Sequence, residues 1–462
     1  MSHAVEAAPL VIGVTSHRNI PAREVESIRA RVRDLFAQFR REFPHSPLVV
    51  LSALADGGDQ LVAEEGLACG ARLVAPLPLP RALYERDFTD DATRATFDAL
   101  CAQARVIRLP LLPGHTPDDI ARSGRERNRQ YAQAGAFVAR HCHLLLAIWD
   151  GKSSDRLGGT AQVVEYYLGG AMPGHIERRR DAQRYRLCGG DERLVCHLVC
   201  SREEAGGAPQ SPLSAGEVIW RAGNEAGAPD AAMPREFHEM FAHADEFNAD
   251  AEKYRAQIEG AAGPAAAGDA ATDETARGPI ATLFHAADWL AVHFQKRVLL
   301  AMRITYTVAA LMGIAFAAYD NLTALNELIY VFLLLFAAGI VISLIARRRG
   351  WHRKYLDYRA LAEGLRVQGY WRRAGISLTG DPEFAHDSLL QKQDIELGWT
   401  RNVMRSAGLF EDAPRAPDLR AVIGEWVGDN AGQGQLGYYR RKTAQRERTH
   451  RVTEAIGAVG LY

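Results

Sequence analysis

Short apolar runs alternate with longer amphipathic stretches over about the first 200 residues. Residues 10–14 are apolar or glycine and end in Gly13-Val14-Thr15-Ser16-His17-Arg18, which predicts a buried strand followed by a turn. Apolar runs at 47–52, 71–76, 105–110, 142–149 and 194–201 predict further strands. Residues 23–43 place Val25, Ile28, Val32, Leu35, Phe36 and Phe39 at helical spacing with charges elsewhere, the pattern of an amphipathic helix. More helices are expected from Asp59 to Leu67, over 93–102 and 125–140, and from Gly159 to Tyr167. Strands alternating with helices predict the α/β class: a Rossmann-like parallel sheet covered on both faces, spanning 1–203.

The pattern then changes. Residues 204–279 read as a linker, rich in Gly, Ala, Pro and Ser, interrupted by a polar helix over 235–258. Two long apolar runs follow at 298–319 and 328–346, each near the ~20 residues that cross a bilayer. The acidic stretch 320–327 joins them, Lys296-Arg297 precede the first and Arg347-Arg348-Arg349 follow the second. Basic residues at both outer ends and none in the joining loop predict a transmembrane hairpin whose N- and C-terminal flanks are both cytoplasmic. Arg303 lies about a turn inside the first run, where it either snorkels to the interface or pairs within a pore. Residues 280–462 therefore read as an all-α membrane module with cytoplasmic helices over 351–462.

Within that module, Trp351, Tyr355, Tyr358, Leu361, Leu365 and Trp371 form a stripe on one helix, 351–373. It reads as a packing face, with headgroup anchoring as the alternative. Residues 389–397 and 419–428 are further helix candidates, the second with Asp418 as its N-cap. Residues 438–459 form a basic helix that turns apolar and loosely echoes 289–300. The echo predicts a second hairpin beyond Tyr462; the plain alternative is a final helix.

Composition changes this picture little. The chain has 462 residues, 47% hydrophobic and 24% charged, with 55 basic and 56 acidic side chains and a net charge of −1. These values argue against collagen, wholesale disorder, a disulfide scaffold and a protein-wide basic surface, so nucleic acid is not expected as a partner. The mean hydropathy of −0.18 would suggest a soluble protein, because the average dilutes the two apolar runs. Residues 1–9 resemble no secretory signal, and the six cysteines are scattered, so reduced thiols in a cytoplasmic compartment are expected. Only six lysines among the basic residues hint at a GC-rich bacterial genome, and so at an inner membrane. His141-Cys142-His143 and Cys196-His197-Leu198-Val199-Cys200 match no common zinc spacing and read as strand residues, with no metal expected.

Three glycine-bearing turns follow predicted strands: Gly13 with Thr15, Ser16 and Arg18; Asp56-Gly57-Gly58-Asp59; and Asp150-Gly151-Lys152 with Gly158-Gly159-Thr160. In an open parallel sheet, ligands bind at the carboxyl ends of the strands, where glycine admits a phosphate and helix-start amides donate to it. Thr15, Ser16 and Thr160 add hydroxyls, Arg18 and Lys152 add cations, and Asp56 or Asp59 can accept from ribose hydroxyls. Arg127, Asn128 and Tyr131 either line the pocket or form a plain surface. No turn matches Walker A or Gly-x-Gly-x-x-Gly, which disfavours NAD redox chemistry.

Residues 11–18, 51–67 and 145–166 resemble the SLOG family, Rossmann-like domains related to the cytokinin-activating LOG enzymes and to a DNA-processing protein family. The run Ser52-Ala53-Leu54-Ala55-Asp56-Gly57-Gly58-Asp59-Gln60-Leu61-Val62-Ala63 and Ile148-Trp149-Asp150-Gly151-Lys152 carry the likeness. The later part resembles the SLATT family of two-helix membrane modules through the hairpin, Tyr358-Arg359-Ala360-Leu361-Ala362-Glu363-Gly364-Leu365-Arg366, and Trp426 with Gln435-Leu436-Gly437-Tyr438-Tyr439. The resemblance implies a homo-oligomeric membrane effector of antiphage defence, pore-forming or membrane-disrupting, gated by a nucleotide-derived signal; no other cofactor is required. LOG-type hydrolases resemble Pro-Gly-Gly-x-Gly-Thr-x-x-Glu, but here Val163 stands where the Glu serves catalysis, and Glu165 lies on another side of the helix. Binding without turnover, and so no catalytic residue, is the favoured reading. A membrane-tethered nucleotide hydrolase and an assembly protein are the alternatives.

Overall fold

A computed structural model describes residues 7–88, 90–176, 193–223, 225–261, 278–321, 327–375, 395–410, 419–428 and 434–461. The N-terminal part runs β1 (Leu10–Ser16), α1 (Ala22–Glu42), β2 (Leu48–Leu51), α2 (Gly58–Ala68), β3 (Arg72–Leu77), α3 (Asp91–Gln103), β4 (Ala104–Arg108), α4 (Arg125–His141), β5 (Leu144–Trp149), α5 (Thr160–Gly169) and β6 (Leu194–Val199). Then come β7 (Val218–Ala222) and β8 (Glu225–Ala226). The eight strands form one sheet in the order β4-β3-β2-β1-β5-β6-β7-β8. β1 to β6 are parallel, and β7 and β8 add an antiparallel edge.

Side chains on a strand alternate between faces, and here both faces are buried. Ile12, Val14, Val50, Leu73 and Leu146 point toward α1, α2 and α3, where Phe36 and Phe39 fill the space. Val11, Val49, Leu145, Ala147 and Val195 point toward α4 and α5. Each buried side chain of this size stabilises the fold by about 1.5–3 kcal/mol. Gly13 belongs to this packing. A Cβ there would stand 2.7 Å from that of Cys142, so the glycine admits the end of α4 against β1.

The edge strands correct the sequence reading of a linker from residue 204. Val218-Ile219-Trp220 is too short to stand out from its Gly- and Pro-rich surroundings. It becomes a strand because β6 offers it a free edge, pairing Cys196 with Trp220 and Leu198 with Val218. The polar helix is α6 (Arg235–Lys253), broken where Tyr254 leaves the helical conformation and followed at once by a further helical stretch, Arg255–Ala261. Nor does it stand apart: Asn248 exchanges hydrogen bonds with the Ala8 backbone, and Phe241 packs edge-on to Phe43.

The C-terminal part is helical: α7 (Pro279–Asn321), α8 (Leu328–Arg348), α9 (Trp351–Arg373), α10 (Gly398–Phe410), α11 (Leu419–Trp426) and α12 (Gly434–Leu461). The first half of α7 packs on α9 through Leu283, Ala287, Leu290 and Phe294, against Tyr358, Leu361 and Leu365. The stripe on 351–373 is thus a packing face at its centre. The second half of α7 and all of α8 leave this core. Both helices are long and apolar enough to cross a membrane, their most apolar windows having mean hydropathies of 1.8 and 2.9. No side chain of α8 is buried, and Leu334 is 71% exposed.

α10 was not legible as a helix. Trp399, Val403, Met404 and Ala407 recur at helical spacing, but Thr400, Arg401, Asn402, Arg405 and Ser406 lie among them and are buried too. Its last residue reaches the sheet, where Arg105 donates to the Phe410 carbonyl at 2.7 Å and Arg72 sits over the Phe410 ring. Of 389–397, the described residues Ile395–Leu397 form one short turn. Asp418 and the rest of that candidate lie outside the described residues.

Candidate functional site

The strand order reverses direction between β1 and β5. Beyond β1 the chain steps to β2 on one side; beyond β5 it steps to β6 on the other. The connections leaving these neighbours diverge and open a crevice at their carboxyl ends, the ligand position in open α/β sheets.

Ser16 ends β1 and His17 follows it. The Ser16 hydroxyl donates to Asp59 Oδ1 at 2.6 Å, and Ser52, just beyond β2, donates to Asp59 Oδ2 at 3.3 Å. Burial pushes the Asp59 carboxyl up to about 6, a rise limited by Ser16, Ser52 and the Ala55 amide. One carboxylate therefore ties two strand ends to the first turn of α2. The turn before α2 is tight. Leu54 is held at φ 58°, a strained conformation of the kind that clusters at functional sites. Gly57 has φ +84°, and a Cβ there would lie 2.3 Å from the Arg18 carbonyl oxygen. Gly58 donates its amide to the His17 carbonyl at 3.3 Å, so the β1 and α2 turns touch.

At β5, Asp150 is fully buried. Burial alone would raise its carboxyl, but the Lys152 amide, His17 and Arg202 outweigh this and hold it below the usual value. His17 Nε2 lies 3.2 Å from both the Asp150 amide and Asp150 Oδ1. Burial pushes the imidazole below its ordinary value, against the pull of Asp150. Thr160, at the start of α5, donates its hydroxyl to the Ser16 carbonyl at 2.8 Å.

Of the residues singled out in the sequence, the fold brings Ser16, Arg18, Gly57, Gly58, Asp59, Asp150 and Thr160 to this crevice. Asp56 stands half-buried at the same turn. Others serve packing. Gly13 and Thr15 are buried within β1, and a Cβ on Gly158 would meet the α4 backbone at 2.7 Å. Gly159 is the N-cap of α5. Arg18 is exposed, lies over the Tyr131 ring at 5.7 Å, and makes no ion pair among the described residues. Arg127 is spent on Asp87 at 2.7 Å and on the Ile120 and Leu83 carbonyls, and Tyr131 donates to the same Asp87. The two brace the wall beneath Arg18.

Sequence reasoning missed the cover of the crevice. The segment 202–213 crosses it as a strap. Arg202 Nε donates to Asp150 Oδ2 at 2.9 Å, the Gln210 amide to the Asp150 carbonyl at 2.7 Å, and Lys152 Nζ to the Gly206 carbonyl at 2.7 Å. Leu213 packs where a Cβ on Gly151 would sit. Lys152 and Gly151 thus hold the strap. No local signal marks Arg202, because its partner lies 52 positions away. His17 was legible only as part of the first turn.

Val163 lies in the core, so close to α4 that a Cβ on Gly135 would stand 2.5 Å from it, and Glu165 is exposed. The His141-Cys142-His143 and Cys196-His197 strings are buried in the sheet domain. Among the described residues, no group of three or more His, Cys, Asp or Glu is placed to hold a metal ion.

No family model matches the sequence. No curated protein matches it either. Among solved structures, the chain is similar to the X-ray structure of DNA processing protein A from Streptococcus pneumoniae, at 15% identity and a TM-score of 0.23. The match covers 34% of this chain and 47% of that one, so the chain spans about half the length of that protein. The exclusion of nucleic acid as a partner is corrected accordingly: the similar structure is of a DNA processing protein, and an overall charge near zero leaves room for a local basic surface. The N-terminal part has a Rossmann-like α/β fold on the strength of its own strand order, and two apolar helices able to span a membrane follow it.

Proposed function

We propose that this is a membrane-anchored sensor whose Rossmann-like domain binds a nucleotide or nucleotide-derived molecule at the β1–β5 crevice. The observation that supports it best is the meeting of hydroxyls, two helix starts and a guanidinium with no ion pair among the described residues at one switch point: Ser16, Thr160, the Gly57-Gly58 turn and Arg18. Phosphates are recognised by the helix-start amides and Arg18, and Asp56 accepts from the sugar. The ligand competes for Lys152 and Arg202 with the strap. Because the strap leads through β7 and β8 into α6, its release moves the helix that packs on α9, and through α9 the hairpin. A ligand drives this change only as far as it favours the released state. The output is membrane permeabilisation by self-associated hairpins, in the setting of bacterial antiphage defence.

The test is a thermal-shift and calorimetric panel on the detergent-solubilised full chain, covering nucleotides, nucleotide derivatives and single-stranded DNA. A ligand at about 100 times its Kd stabilises the protein by about 2.7 kcal/mol. Gly58→Val places side-chain atoms on Ser16, since even a Cβ there stands 2.6 Å from that of Ser16, and abolishes the shift. A panel without any stabilising ligand, or a shift that survives Gly58→Val, overturns the reading.

A further inference from the structure

A second chemistry gathers where the apolar halves of α7 and α8 begin and end. α6 ends at Lys253, whose Nζ is 5.2 Å from the Tyr254 ring. Tyr254 packs against Trp289 at 5.5 Å and His293 at 4.5 Å, both on α7. One turn further along α7, Arg297 lies 3.4 Å from the Tyr254 hydroxyl and 5.6 Å from the Trp351 ring that opens α9. Arg347, Arg348 and Arg349 precede Trp351 across the helix break at Gly350. Lys253, Lys296 and Arg297 thus gather around Tyr254 and His293, and the three arginines lead into Trp351 beside Arg297, so that these six cations form a collar at the ends of the two apolar spans.

None of these six cations has an acidic partner among the described residues. The nearby carboxylates are already engaged: Asp250 with Lys354 and Tyr358, Glu246 with Arg353 and Lys354, Asp288 with Arg359. All six but Arg297 are exposed. The local field is strongly positive. Outside the apolar run, burial first and then the charges of Arg297, Lys296 and Lys253 push the His293 imidazole below its ordinary value, with Asp250 opposing them. Unpaired cations attract an anion. Trp and Tyr rings beside them, at the border of two apolar spans, favour an anion that comes with hydrocarbon attached.

We propose that this collar binds the anionic phospholipid headgroups of the bilayer face from which α7 enters and to which α8 returns. The proposal rests on the membrane reading of the two helices. It adds that α6 is itself tied to the lipid surface through Lys253, so that headgroups hold the last turn of the helix joining the sheet to the hairpin.

The full chain is reconstituted in phosphatidylcholine vesicles carrying a minor fraction of brominated phosphatidylglycerol, or the same fraction of brominated phosphatidylcholine. Flotation after an alkaline wash reports insertion, and tryptophan quenching reports which lipid stands at the collar. Brominated phosphatidylglycerol is expected to quench more strongly, and Lys253→Gln/Lys296→Gln to lower its apparent affinity by roughly fivefold or more. Arg347→Gln/Arg348→Gln is expected to do the same from the other side of the collar. A chain that does not insert overturns the membrane reading and this proposal with it. A chain that inserts but is quenched equally by both lipids overturns this proposal alone. So does a preference that both double variants retain, or capture of a DNA oligonucleotide by the collar in place of the lipid.

Discussion

The sheet domain and the hairpin are built from the same kind of residue, with opposite outcomes. β5 is Leu-Leu-Leu-Ala-Ile-Trp and every residue of it is buried. α8 contains Leu-Leu-Leu-Phe-Ala-Ala and no residue of it is buried. A strand cannot satisfy its backbone alone. It must pair, and pairing draws helices over both faces. A helix satisfies its own backbone, so an apolar helix can stay unpacked where the solvent is hydrocarbon. Apolar sequence therefore predicts burial in both regions, but protein covers β5, while α8 keeps an apolar surface long enough to cross a membrane.

Matched truncations break this comparison most sharply. Phe36→Ala opens a cavity under the sheet and costs about 3–5 kcal/mol in chemical unfolding of the detergent-solubilised chain. Phe336→Ala, on a residue 51% exposed in α8, leaves that transition in place. Equal effects would mean that Phe336 is covered by protein, beyond the contact that α8 makes with α7 through Phe332 and Phe316. The next effect is on insertion. Leu334→Arg puts a charge near the centre of α8 and lowers membrane partition by about 2.5–3.5 kcal/mol, read by flotation. An unchanged partition would place α8 outside the hydrocarbon.

The smallest effect belongs to the crevice and depends on pH. Asp59 titrates near 6 in the fold against an ordinary value of 3.8. The folded state therefore holds this proton more tightly than the unfolded chain. The stability this gives is fully present below pH 3.8 and is lost as pH rises through 6. Asp59→Asn removes the linkage. Relative to that variant, the wild type is expected to lose about 2–3 kcal/mol between pH 4 and pH 7. Parallel stability curves for the two proteins would show that Asp59 is not buried as described.

The strands β1 to β6 were legible because each is a short apolar run set off by turn residues and helical periodicity. β7 and β8 were not, since an edge strand of five residues or fewer needs a neighbour more than a pattern. α10 was obscured by buried polar residues. The Asn402 amide meets Met240 and the Gln368 amide meets the Met404 carbonyl, partners that no local window contains. In the crevice, the turns at Ser16 and Gly57 were legible as glycine and hydroxyl residues after a strand. The strap was not, because Arg202 and Gly206 act on Asp150 and Lys152 from outside any motif. Gly13 and Gly158 stand so close to the end and the backbone of α4 that a Cβ at either would clash, a role that no local pattern announces.

By itself the sequence determined most of the local periods: the segments that become β1 to β6, the long helices, and the two runs apolar enough for a bilayer. Those follow from side-chain direction and backbone hydrogen bonding within a few residues. Only the tertiary structure decided that β1 and β5 are neighbours, and with that where the crevice opens, which polar groups close it and which cations stand unpaired around α7 and α8. Strand order and helix packing are settled by the shared burial of distant segments. That is a property of the whole chain in space and of no window along it.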